Sequence, residues 1–90
     1  MADYVPKEVL SMAKSDQLEI SVRIGRSGIS EAFLGELSEQ LDKRRLVKVK
    51  ANRGAVRGSS ERAELFEGLA AATNSMLVFQ RGNVAVFWFD

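Results

Sequence analysis

The chain has no histidine, no cysteine and a single proline among its 90 residues. Without cysteine there are neither disulfides nor thiolate metal sites, and without histidine the commonest general base and metal ligand are both missing. Enzyme chemistry therefore starts from a poor inventory of side chains, and no cofactor or metal is expected. Long apolar runs are also absent: none approaches the roughly 18 residues that a membrane-crossing helix needs. The opening stretch, MADYVPKEVL, lacks the basic start and apolar middle of an export signal. These absences point to a cytoplasmic protein with no membrane partner and no small-molecule substrate. What remains is 46% hydrophobic and 28% charged, the make-up of an ordinary globular domain, and the length suits one domain over residues 1–90.

The hydrophobic pattern sets an order of elements. Residues 6–15 open with Pro6, suited to a first helical turn, and place Val9, Leu10 and Ala13 on one stripe. Residues 18–24, LEISVRI, alternate Leu18, Ile20, Val22 and Ile24 with polar residues, the period of a strand with one buried face. Ser30 is placed to cap a helix through residue 44, with Phe33, Leu37 and Leu41 on one side and Ile29 and Leu34 as a hydrophobic staple. Residues 45–51, RLVKVKA, read as a second strand whose outer face carries Lys48 and Lys50. After the loop NRGAVRGSS, Ser59 or Ser60 caps a third helix to about residue 73 with Phe66, Leu69, Ala70 and Thr73 at helical spacing. MLVFQ and VAVFWF then flank Gly82-Asn83 as a hairpin.

The predicted order is α-β-α-β-α-β-β in a two-layer α/β (α+β) domain with a four-stranded mixed sheet. The helical crossovers make the first three strands parallel, and the hairpin sets the fourth antiparallel to the third. Both closing strands are apolar on two faces, which predicts a central place or cover on two sides.

Net charge is only +1, but it is unevenly distributed. Residues 43–62 hold Lys43, Arg44, Arg45, Lys48, Lys50, Arg53, Arg57 and Arg62 against Glu61 alone, a local balance of +7; the flanking segments carry −4 and −2. A solvated helix end explains Lys43 and Arg44, since cations are favoured there. Eight cations in twenty residues go beyond that, and favour nucleic acid as the partner.

The junction RIGRSGIS places Gly25, Arg26, Ser27 and Gly28 between a strand and a helix. Glycines there let the backbone approach a ligand, the helix N-terminus favours an anion, and Arg26 and Ser27 add donors for a phosphate. A turn that merely needs positive φ would look the same from the glycines alone. The stretch lacks the Gly-Lys-Ser/Thr ending of a P-loop and the third glycine of a dinucleotide fingerprint, so nucleotide hydrolysis is a poor reading. The KH domain sets its Gly-x-x-Gly between two helices, and the RRM needs two adjacent mid-chain strands; the predicted order fits neither. RGNVAVFWF starts like an RRM signature, but Asn83 and Val84 stand where an aromatic and a small residue belong.

VRIGRSGIS followed by EAFLGELSEQLDKRRLVKVK resembles the YhbY-like group of the CRM (chloroplast RNA splicing and ribosome maturation) domain family. That family's pattern is a strand, Ile-Gly-Lys-x-Gly, a helix and an Ile/Leu-Val-Lys-Val strand, on a fold like the C-terminal domain of translation initiation factor three. The resemblance implies RNA binding with the Gly-x-x-Gly loop as a principal contact, and a large-subunit rRNA or its precursor as the partner of free-standing members. By position, Gly25 and Gly28 match the motif glycines, Arg26 stands where lysine is usual, and Lys48 and Lys50 match the basic strand positions. Arg44, Arg45, Arg53 and Arg57 join the candidate RNA-binding set on charge alone. Two other readings are an Alba-like nucleic-acid-coating protein, disfavoured by the tight closing hairpin, and a protein-interaction domain with an acidic partner.

Overall fold

A computed structural model describes residues 5–25, 28–52 and 58–89. Its elements are α1 (Lys7–Lys14), β1 (Ile20–Ile24), α2 (Glu31–Arg44), β2 (Leu46–Ala51), α3 (Ser59–Thr73), β3 (Met76–Arg81) and β4 (Val84–Trp88), in the predicted order.

Local chemistry accounts for most of the boundaries. Pro6 sits just outside α1 as its N-cap residue, and its carbonyl accepts from the Val9 and Leu10 N–H groups at 3.0 and 3.2 Å. The Ser30 hydroxyl accepts from the Phe33 N–H at 3.1 Å, the N-cap bond expected of it, and α2 buries Phe33, Leu37 and Leu41 on one stripe. Ile29, expected to staple to Leu34, is 38% exposed, and Leu34 packs against the core. The third helix departs from expectation at its start. Gly58, not Ser59 or Ser60, is its N-cap, and the Gly58 carbonyl accepts from the Arg62 N–H at 2.9 Å with no side-chain cap. Glycine competes with serine at this position because it leaves the cap backbone open to water.

The sheet runs β1-β2-β4-β3. β1 and β2 are parallel, β4 is antiparallel to β2, and β3 is antiparallel to β4. The first three strands thus share one direction as predicted, but β4 lies between β2 and β3. A two-residue hairpin obliges β4 to pair with β3, and its other edge then takes β2.

One face of the sheet carries α2 and α3. Val22, Ile24, Val49 and Phe87 from the strands meet Leu37, Leu41, Phe66 and Leu69 from the helices in a single core. The Phe66 and Phe87 rings meet edge to face, 6.3 Å apart at 66°, a geometry the ring quadrupoles favour. Thr73 is buried in the last turn of α3, and its hydroxyl donates to the Leu69 carbonyl at 2.7 Å.

α1 packs against β2 and β3. It covers the reverse of the sheet: Val86 is fully buried there, on the face opposite Ala85 and Phe87, and Ala13 is the buried residue of α1. Cover on two sides therefore holds for β4, in which Ala85, Val86 and Phe87 are buried in succession, while β3 is a half-buried edge.

The expected alternation of residues 18–24 is broken at its start. β1 begins at Ile20, because Leu18 closes a turn on the Ser15 carbonyl, and the register with β2 slips between Ile20 and Val22. Ile20 consequently shares a face with Lys48, and only Val22 and Ile24 reach the core.

Replacing Phe66, fully buried between α3 and β4, by alanine should cost about 3–5 kcal/mol through lost burial and a residual cavity. Urea unfolding of the two proteins checks this, and a loss under 1 kcal/mol would mean that the ring is not a core element.

Candidate nucleic-acid interface

The interface is set by strand direction. Because β1 and β2 are parallel, Gly25 and Asn52, the residues that follow them, lie at the same end of the sheet. Main-chain bonds hold this end together: the Asn52 N–H donates to the Ile24 carbonyl and the Ala51 N–H to the Asn83 carbonyl, both at 2.8 Å. The β3–β4 turn is thereby tied beside the ends of β1 and β2. α2 and α3 both start here, so the positive ends of two helix dipoles face this edge.

After β1 the Gly28 N–H donates to the Gly25 carbonyl at 3.0 Å, closing the loop, and Gly28 takes φ of +79°. Glycine at position 28 is thus required by the backbone. Gly25 is different. It is not at positive φ, and a Cβ built on it meets none of the described residues within 4 Å, so neither its backbone nor the described packing demands glycine there. Arg26 and Ser27, and likewise Arg53 and Arg57, lie outside the described residues.

Lys48 and Lys50 point to the sheet face that α1 partly covers, and both are half-buried. The Lys48 ammonium donates to the Leu18 carbonyl at 3.1 Å, which fixes its charge over the segment joining α1 to β1. Lys50 belongs to a transverse row that the register assembles. Arg23 pairs with Lys50, Lys50 with Val84 and Val84 with Arg81, so three cations from β1, β2 and β3 share one face at the loop end of the sheet. Arg23 and Arg81 are exposed, and none of the three forms an ion pair among the described residues.

Arg44 and Arg45 are not part of this cluster. They precede β2 and lie at the opposite end of the sheet, Arg45 six and Arg44 seven positions before Ala51. Arg45 terminates α2 at φ of +70°, and its guanidinium lies over the Phe89 ring, 5.4 Å from the centroid. Its carbonyl accepts from the Phe89 N–H at 2.7 Å. Phe87 is core, whereas Phe89 is half-buried and occupied by Arg45.

Arg23 and Arg81 were not singled out from the sequence, since each is isolated in its own strand; alternation alone places Arg23 on the polar face of β1, which was the available signal. Among the described residues no group of three or more potential metal ligands is formed, and no helix is long and apolar enough to cross a membrane.

A family model described as the CRS1/YhbY (CRM) domain matches residues 11–88. The chain belongs to that family. Among solved structures, the CRM domain is similar to a hypothetical protein of Staphylococcus aureus, named as a candidate RNA-binding protein. The two share 28% sequence identity at a TM-score of 0.70, over 82% of this chain and 74% of the other. No curated protein matches the chain. The structural similarity agrees with the α+β architecture and its four-stranded mixed sheet.

The two glycines of this CRM domain give contrasting expectations. Gly28→Ala should lower stability by roughly 1 kcal/mol, because it forces a side chain into positive φ. Gly25→Ala should stay within about 0.5 kcal/mol of the parent. Thermal unfolding of both variants tests the assignment, and equal losses would refute it.

Proposed function

We propose that residues 1–90 form an RNA-binding module, not an enzyme, that assists assembly of the large ribosomal subunit by gripping its structured rRNA or precursor. The observation that carries this reading is Gly25: the described residues place no demand for glycine there, and close approach of a ligand backbone supplies one. Family membership and the neighbour's description as a candidate RNA-binding protein support the same partner class.

In this mechanism the Gly25–Gly28 loop lies against the sugar-phosphate backbone, with Arg26 and Ser27 donating to phosphate oxygens. Lys48, Lys50, Arg53 and Arg57 add positive potential from the neighbouring strand and loop. Arg44 and Arg45 engage only an RNA long enough to pass along the sheet to its other end. Exposed Glu31, in the first turn of α2, repels phosphate from that helix and confines contact to the loop side. No bond is made or broken; the module binds, and its work is to hold an RNA conformation in the cytoplasm. The closing hairpin turns in two residues, which leaves no arm of the kind that nucleic-acid-coating Alba-like proteins extend.

Arg26→Ala should weaken binding to a large-subunit rRNA fragment by about 1–2 kcal/mol while thermal unfolding stays unchanged. The binding constant should fall with salt at a slope of roughly −0.7 per phosphate contacted. Fluorescence anisotropy over a range of salt concentrations measures both, and a flat salt response would remove the electrostatic grip. Gradient sedimentation of a lysate tests the ribosomal assignment: co-migration with large-subunit precursors, lost as salt rises, is expected. Binding to RNA with no such co-migration would leave an RNA-binding module with a different RNA.

A further inference from the structure

The reverse face of the sheet holds a cavity that the proposed loop contact does not use. It measures about 140 Å³ and is lined by Lys14, Asp16, Lys48, Phe79, Arg81 and Val84. Lys14 ends α1, Asp16 follows it, and the other four residues come from β2, β3 and β4, so the site forms only where α1 docks on the sheet.

Three features define what it takes. The first is charge: Lys14, Lys48 and Arg81 are set against Asp16 alone, and no ion pair joins any of them among the described residues. Lys50 and Arg23 continue the positive row immediately beside it. Like charges brought together in this way raise one another's energy unless an anion enters, and a phosphate is an anion that matches both an arginine fork and a lysine point charge. A second is an aromatic ring: Phe79 is half-buried in the wall, in the same transverse row as Lys48 and Val86. The third is size, since a cavity of about 150 Å³ holds one six-membered aromatic ring.

We infer that this cavity receives one unpaired pyrimidine nucleotide of the bound RNA, its base against Phe79 and its phosphate on Arg81 and Lys14. The inference rests on the RNA-binding reading above and deepens it. Sequence-tolerant stacking of splayed-out bases on an aromatic side chain, with basic residues along the backbone, is a general way of holding single strands. Here the volume adds a preference for one ring over two. Asp16 is the acceptor-only side chain in the wall, and its carboxylate can accept from the exocyclic amine of cytosine or the N3–H of uracil.

The test is anisotropy binding of single-stranded decamers of cytidine, uridine and adenosine to the full chain, its Phe79→Leu and Arg81→Gln variants, and Gly25→Ala. Expected affinity is higher for cytidine and uridine than for adenosine. Phe79→Leu removes the ring while keeping apolar volume, and should weaken cytidine binding about tenfold and flatten the preference. Arg81→Gln, at an exposed position that leaves the core intact, should weaken all three decamers. Pyrimidine binding undiminished in both cavity variants but lowered in Gly25→Ala would overturn this inference and leave the loop reading in place. Adenosine bound as tightly as cytidine would overturn the single-ring occupant. Failure of the parent chain to bind any RNA, ribosomal fragment included, would overturn both readings.

Discussion

The parallel pairing of β1 with β2 is the constraint on which the rest of the structure depends. A parallel neighbour cannot be reached by a tight turn, so the chain must cross over through α2, and that crossover lays Phe33, Leu37 and Leu41 across the sheet. The same geometry brings the ends of both strands to one edge. Gly25 and Asn52 become neighbours there, although Asn52 lies 27 positions after Gly25 along the chain. The Asn52 to Ile24 and Ala51 to Asn83 main-chain bonds then lock three connections side by side.

Insertion of β4 between β2 and β3 has a second consequence. It gives the sheet a central strand buried on both faces, with Ala85 and Phe87 toward α2 and α3 and Val86 toward α1. α1 is only eight residues long and covers only part of the reverse face. The uncovered part is where Arg23, Lys50 and Arg81 line up, and its border with α1 is the cavity at Phe79. A short helix on a four-stranded sheet thus produces both a second small core and a basic, partly aromatic surface beside it.

Much of the fold was legible because its signals are local. Ser30 and Phe33 lie three residues apart, and the N-cap bond between them needs nothing from the rest of the chain. Lys48 and Lys50 share a face because strand side chains alternate. Where local signals compete, the reading missed: Ser59 or Ser60 was the expected cap of α3, and Gly58 before them is the N-cap. The site was harder to read. Proximity in sequence suggested one basic patch from Arg44 to Arg57, but β2 itself spans roughly 17 Å from Leu46 to Ala51, and Arg44 and Arg45 lie before its first residue. Arg23 and Arg81, far apart in sequence, are nearer to Lys50 in space.

The sequence by itself determined the order and type of the elements, the faces of α2 and α3 that enter the core, and the membership of a Gly-x-x-Gly family. Each of these depends on interactions within a few residues or on periodicity along one element. The tertiary structure decided the strand order, the slip at Ile20, the place of α1 on the reverse of the sheet, and the row of Arg23, Lys50 and Arg81. Those follow from hydrogen-bond register between strands that are distant in the chain, and a register shift of one residue turns every side chain of a strand to the other face.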